Sequence, residues 1–288
     1  MILVLGATGR VGRLVTRALL DAQAAVCAMA RDPARAAASL GARIEVRRGE
    51  FGDPAGIEAA CAGVERLFLM SPVCELQAEH QIAAVDAARR AGVSRIVKLS
   101  GSAWTMREGD LTATGAAHLA VERHLRASGL EFAIVRPNAF MHGALDRPLL
   151  ALAAGESSTL ALARGQARAG YIHIDDIGAV CAHALLAPAA SCTAHEITGP
   201  QSMSGDDLAA EASLALGRVV SYEAVPVARE LDRLRRNGLS EFMLRHAQEN
   251  LERMERGYAE RVTGEVPRLL DRPARSVRDF IVETLAGA

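Results

Sequence analysis

The strongest constraint in the chain is an alternation. Short apolar or β-branched runs at 2–6 (ILVLG), 25–30 (AVCAMA), 43–48 (RIEVRR), 66–70 (RLFLM), 95–100 (RIVKLS) and 131–137 (EFAIVRP) are separated by longer, helix-like stretches. Between the first two, Val11, Leu14, Val15, Ala18 and Leu19 recur at the spacing of one helix face. Ile82, Val85 and Ala88 do likewise before a glycine stop, and a third helix over about 115–128 also ends at a glycine. Strand and helix alternating about six times predict an α/β fold with a parallel sheet covered on both faces. The nearly continuous apolar strands agree, because both faces are then buried. Right-handed crossovers make such a sheet doubly wound.

The second half is less regular. Residues 171–186 (YIHIDDIGAVCAHALL) read as a strand entering a helix, with Asp175 or Asp176 as its cap. A short strand follows at 195–200, then a serine-capped helix at 204–217, a charged helical stretch at 228–261 and a last helix from 276 to about 285. There is no internal repeat and no Gly/Ser linker.

Gly6, Gly9 and Gly12 form a GxxGxxG directly after the first strand and at the opening of the first helix. That context is the one a dinucleotide fingerprint requires. The first glycine permits a tight turn, the second lets a diphosphate approach the backbone, and the third lets the helix pack on the strand. The phosphates then face the N–H groups and positive dipole end of the helix. At the end of the second strand an acidic residue reads a ribose hydroxyl, whereas arginine pairs with a 2′-phosphate. Arg31 stands there, and Arg10 lies in the loop. NADPH is therefore the expected cofactor, with NAD as the alternative if a register shift of two makes Asp32 the reader. The fold expected is the Rossmann type: a dinucleotide-binding domain over 1–140, completed by about 171–190. Residues 141–288 then form mainly a smaller substrate-binding lobe and the C-terminal helices.

Composition narrows the partners. Lys plus Arg number 33 against 34 Asp plus Glu, a net charge of −1, which leaves no basic excess for nucleic acid or an anionic membrane. The basic run at 229–236 is interleaved with acids and reads as a solvated helix face. Five scattered cysteines without a CxxC pair suggest reduced thiols in a cytoplasmic protein. An apolar run starting at Ile2 leaves no room for a secretory signal, and no stretch is long enough to span a membrane. No spacing of His, Cys, Asp and Glu suggests a metal site. The expected partner is a small-molecule substrate, with the oligomeric state, monomer or homodimer, left open.

Several segments resemble the NmrA-like family of atypical short-chain dehydrogenases/reductases: LGATGRVG (5–12), ARDPAR (30–35), GVERLFLMSP (63–72), AGVSRIVKLSG (91–101), HLAVERHLRASGLEFAIVRPNAFM (118–141) and YIHIDDIGAV (171–180). Bacterial NAD(P)H-dependent quinone reductases and azoreductases look most similar. The resemblance implies that Gly6, Thr8, Gly9, Arg10, Val11 and Gly12 form the diphosphate loop and that Arg31 contacts the 2′-phosphate. It places Glu50 and Phe51 at the adenine, and Met70, Ser71 and Pro72 by the ribose and nicotinamide. Lys98, Pro137, Asn138 and Phe140 fall beside the nicotinamide, and Trp104, Met141 and His142 line the substrate pocket.

Reductases of the larger superfamily use a Tyr-x-x-x-Lys pair, the lysine lowering the tyrosine's pKa so that it protonates a new alkoxide. None of Tyr171, Tyr222 and Tyr258 is followed by lysine four positions on. His118 and Glu122 stand on one helix face instead. His118 is a candidate proton donor, or else a cap or surface residue; Ser100 and Ser102 are relay candidates or turn residues. Asn138 either orients the substrate or forms an Asx turn. Two readings follow. One is an NADPH-dependent reductase passing hydride to an electron-poor quinone, azo compound, imine, iminium or enone; the other is a non-catalytic NADP(H)-binding redox sensor.

Overall fold

The computed structural model of the protein describes residues 1–41 and 44–287. Arg43, the first residue of the third expected strand, lies outside the described residues. The elements run β1 (Ile2–Val4), α1 (Arg10–Asp21), β2 (Val26–Ala30), α2 (Pro33–Leu40), β3 (Glu45–Arg48), α3 (Pro54–Ala60), β4 (Arg66–Leu69), α4 (Gln77–Arg90), β5 (Arg95–Leu99), α5 (Ala113–Ala127) and β6 (Glu131–Pro137). They continue with α6 (Met141–Ala153), β7 (Thr159–Leu162), α7 (Ile174–Leu186), β8 (Ala194–Ile197), α8 (Gly205–Leu216), β9 (Ser221–Ala224), α9 (Val227–Arg236), α10 (Glu241–Glu255), α11 (Glu265–Leu270) and α12 (Val277–Ala286).

Two compact units share the chain. The first comprises Met1–Gly101, Thr114–Arg136 and Ile174–Glu196, and holds a seven-stranded sheet of order β3-β2-β1-β4-β5-β6-β8. Strands β1 to β6 pair in parallel, and the strand order reverses between β1 and β4, the switch point where ligands of such sheets bind. Alternate residues Leu3, Leu5, Cys27, Met29, Leu67, Leu69, Ile96 and Ile134 share one face and pack under α3, α4 and α5. Helices α1 and α7 pack together over β1, β2, β4 and β5, covering the other face. The doubly wound arrangement read from the alternation is the one formed.

The second unit gathers Ser102–Ala113, Pro137–His173 and Ile197–Ala288. Leu145, Leu149 and Leu152 line one face of α6 and meet Leu160 of β7, Leu208 of α8 and Phe280 and Ile281 of α12 in its core. The expected serine-capped helix is α8, with Ser204 and Asp207 in a reciprocal capping box. Strands β7 and β9 form a separate parallel pair with no counterpart in the sequence reading. β9 carries almost no buried residue, so it lacks the apolar alternation that announces a strand. The charged helical stretch expected at 228–261 comprises α9 and α10, separated at Gly238, whose φ is +81°.

Two expectations are corrected. Asp175 and Asp176 do not cap α7; they lie inside its first turn, where their charge still suits the dipole. His118 is not at a helix start, because α5 begins at Ala113. Among the described residues, no helix is long and apolar enough to cross a membrane.

The close fit of α1 to α7 rests on Gly178, where a Cβ would stand 2.7 Å from Leu14 Cβ. Gly178→Ala is expected to cost about 1–3 kcal/mol through forced separation of the two helices. A urea unfolding midpoint equal to that of the parent protein would refute this packing account.

Candidate functional site

The loop from β1 to α1 is shaped by close backbone approach. Gly6 has φ +72°, and a Cβ on it would lie 2.8 Å from Met70 Cε and 2.9 Å from the Met70 carbonyl. At Gly12 a Cβ would fall 2.0 Å from the Gly6 oxygen, a separation only glycine permits. Gly9 is the N-cap of α1; its N–H donates to the Gly6 carbonyl at 3.0 Å, and it supplies no capping side chain. No acidic residue stands in the first turn. The positive end of the helix dipole thus lies at the sheet's switch point with no acidic residue of its own first turn against it, a geometry that fits a diphosphate. Thr8 lies exposed on the loop, its carbonyl accepting from Arg13 Nε at 3.0 Å, while Val11 is buried beneath it.

Strand β2 ends at Ala30, which puts Arg31 at its tip, exposed to solvent like Arg10. Asp32 has another task. Its side chain accepts from the Arg35 N–H at 3.1 Å through Oδ1 and caps α2. At the end of β3, Glu50 is exposed and Phe51 half-buried, its ring stacked on His80 with centroids 6.4 Å apart. Met70 abuts Gly6, Ser71 Oγ accepts from Gln81 Nε2 at 2.7 Å, and Pro72 is exposed.

A buried polar network lies under the carboxyl edge of β5. Lys98 shares the side-chain parity of Ile96 and therefore projects into the apolar face below α4 and α5. It is wholly buried. Its Nζ donates to Gln81 Oε1 at 2.7 Å and the Leu99 carbonyl at 3.4 Å, and faces His118 Nδ1 at 3.1 Å. Burial pulls the ammonium down to about 7; Arg136 adds to the fall and Glu122 opposes it. His118 Nε2 lies 3.1 Å from the Gln77 carboxamide, whose Oε1 is buried without a partner. Exchanging the two ends of that amide lets His118 Nε2–H donate to Oε1 while Nδ1 accepts from Lys98. Both ring nitrogens of His118 are then engaged inside the unit.

Ser100 and Glu122 belong to a second network. Ser100 Oγ donates to Glu122 Oε1 at 2.7 Å, and Arg136 Nε and Arg126 Nη1 donate to the same carboxylate at 2.9 and 3.0 Å. Burial would raise the Glu122 carboxyl, but these hydrogen bonds outweigh it and hold the group below its ordinary value. Glu122 braces β6 against α5 through Arg136.

In the second unit, Asn138 is buried and fully committed: Oδ1 accepts from Trp104 Nε1 at 2.6 Å, and Nδ2 donates to the carbonyls of Ala259 and Arg261 at 2.9 and 3.2 Å. It is a brace with no N–H left over for a substrate. Ser102 Oγ likewise donates to the Pro137 carbonyl at 2.7 Å. Pro137 is buried and Phe140 half-buried beside Ile172. Met141, expected to line a pocket, is instead wholly buried in the unit's core. His142 stacks edge-on with His173, centroids 4.7 Å apart, and both meet Phe280.

The family model for the NmrA-like family matches residues 1–276. The chain belongs to the NmrA-like family. It is 29% identical over 287 residues to the NAD(P)H azoreductase of Xenophilus azovorans, covering 97% of this chain and 96% of that one. It is 32% identical to the (4-alkanoyl-5-oxo-2,5-dihydrofuran-3-yl)methyl phosphate reductase of Streptomyces griseus, over 98% and 97% of the two chains. The fold matches that of the Citrobacter triphenylmethane reductase complexed with NADP(H), with a TM-score of 0.87, 21% identity and 99% coverage of each chain.

For this NmrA-like chain, sequence reasoning missed that Lys98, Gln77, Gln81 and His118 meet. The available signal was a lysine at an inward position of a strand otherwise apolar on that face. The fold lowers the Lys98 pKa toward 7 from the ordinary 10.5. Between those values the unfolded chain binds more protons, so stability rises with pH across that window and the burden of the charge is greatest below it. Unfolding free energy of the parent protein is expected to climb relative to Lys98→Met from about pH 7 to 10. Parallel pH profiles for the two proteins would refute it.

Proposed function

We infer that the protein is an NADPH-dependent reductase of small electron-poor acceptors: quinones, azo compounds, imines or iminium ions, and enones. The observation that supports this most directly is the pairing of an uncapped glycine cradle with a proton network closed on itself. Gly6, Gly9 and Gly12 hold the diphosphate, with Thr8 and Val11 shaping the loop. Arg31, with Arg10 beside the same phosphate, pairs with the 2′-phosphate, because Asp32 is engaged as a helix cap. Glu50 and Phe51 flank the adenine, and Met70, Ser71 and Pro72 form the wall beyond the loop. Bound NADPH supplies a hydride.

The residues of this chain do the positioning, and none of those placed above is poised to protonate a product. Tyr171 is buried, and its hydroxyl oxygen accepts from Arg164 Nη1. His118 is held by Lys98 and Gln77. An acceptor whose reduced form is already a stable anion, or gains its proton from water, suits such a site better than a simple ketone, which needs an acid in the transition state. The agreement with relatives described as an azoreductase and a reductase of an unsaturated lactone supports the class of acceptor.

Oxidation of NADPH by a naphthoquinone, an azo dye and a cyclic iminium ion, followed at the nicotinamide absorbance, tests the reading. Turnover of at least one is expected; tight NADPH binding without any turnover would overturn it in favour of a sensor. Loss of a charge-assisted pair in Arg31→Ala is expected to raise KM for NADPH by about tenfold to a hundredfold and leave NADH unchanged. His118→Gln is expected to change kcat by less than about tenfold, whereas a fall of ~10³ would identify His118 as a general acid.

A further inference from the structure

The second unit holds an open cavity of about 170 Å³ lined by residues of α6, β7, α9 and α10. None of Trp104, Met141 and His142 lines it. Its walls are apolar at Ala144, Pro148, Leu162 and Met254, and roughly 150 Å³ of such space accommodates a benzene ring. Three arginines line it, Arg147, Arg164 and Arg233, against one acidic residue, Glu230. That carboxylate is taken up by Arg233, which binds it through both Nε and Nη2.

Arg164 is the unusual member. Only 2% of it is exposed, and among the described residues no acid pairs with it. Its Nη1 donates to the Tyr171 hydroxyl and its Nη2 to the carbonyls of Ala167 and Met203 at 2.6 and 3.0 Å. Its Nε–H is buried with no partner. A buried charge without a counter-charge is costly, and so is an unmade hydrogen bond on the same group. An anion in the cavity supplies the missing counter-charge. Arg147, exposed at the rim and without a carboxylate partner among the described residues, adds a second positive charge.

We propose that this cavity binds a small organic anion, a ring-sized apolar body bearing a carboxylate, phosphate or sulfonate that Arg164 receives. The apolar walls hold the body and the arginines the acid group, so an inorganic anion alone is held more weakly.

Isothermal titration of the full chain with benzoate, phenyl phosphate, benzenesulfonate and inorganic phosphate tests the site. One equivalent of at least one aryl anion is expected to bind, at least tenfold more tightly than inorganic phosphate. Arg164→Met is expected to abolish that binding. Because Arg164 also ties down two carbonyls, a second variant guards against misfolding: Ala144→Leu fills the cavity without touching the arginine and is expected to weaken aryl anions by more than tenfold. Arg147→Gln is expected to weaken them severalfold. No binding by the parent protein, or binding undiminished in Ala144→Leu, overturns the proposal. So does inorganic phosphate matching the aryl anions, which would place the binding at a general anion site.

Discussion

Helix α1 runs so close to the turn that precedes it that Gly12 has room for a hydrogen and nothing more. That approach sets the rest. It draws the N-terminus of α1 directly above the end of β1, where the strand order reverses, and Met70 at the end of β4 closes against Gly6 from the neighbouring strand. The dipole end and the bare Gly9 backbone then meet over one point of the sheet. A second close approach, Gly178 of α7 against Leu14, holds the helix from its other side. The cradle is therefore a product of packing as much as of a loop motif.

On the opposite face, the sheet accepts an ammonium group where its period-two pattern calls for an apolar side chain. Lys98 is tolerated because three acceptors meet its Nζ, and because its pKa falls until the charge is easily given up. The arrangement occupies His118 and Gln81, and through Gln81 it reaches Ser71 beside the cradle. The same network that stabilises a buried lysine engages both ring nitrogens of the histidine. A reaction that needs only a well-placed hydride donor and an electron-deficient partner is consistent with both facts.

Legibility in the sequence followed locality. Strands β1 to β6 and helices α1, α4, α5 and α8 were visible because apolar spacing and glycine stops act over a few residues. The capping role of Ser204 was visible for the same reason. Strands β7 and β9 were not, since each is four residues long and gains its pairing from a partner some sixty positions away. Asn138 illustrates the harder case. Its place after β6 suggested a functional amide, yet its hydrogen bonds go to Trp104, Ala259 and Arg261, contacts that no local pattern encodes.

By itself the sequence determined the doubly wound sheet and the glycine turn at its switch point, because both depend on short-range periodicity and on the steric freedom of glycine. It also determined that no Tyr-x-x-x-Lys pair is present. Only the tertiary structure decided what the charged side chains do. Asp32 became a helix cap, leaving Arg31 at the strand tip; Lys98 met His118 across twenty residues; and Arg164 was buried beside a cavity with no paired acid among the described residues. The reason is physical: a charge is defined by what surrounds it, and its surroundings come from segments far apart in the chain.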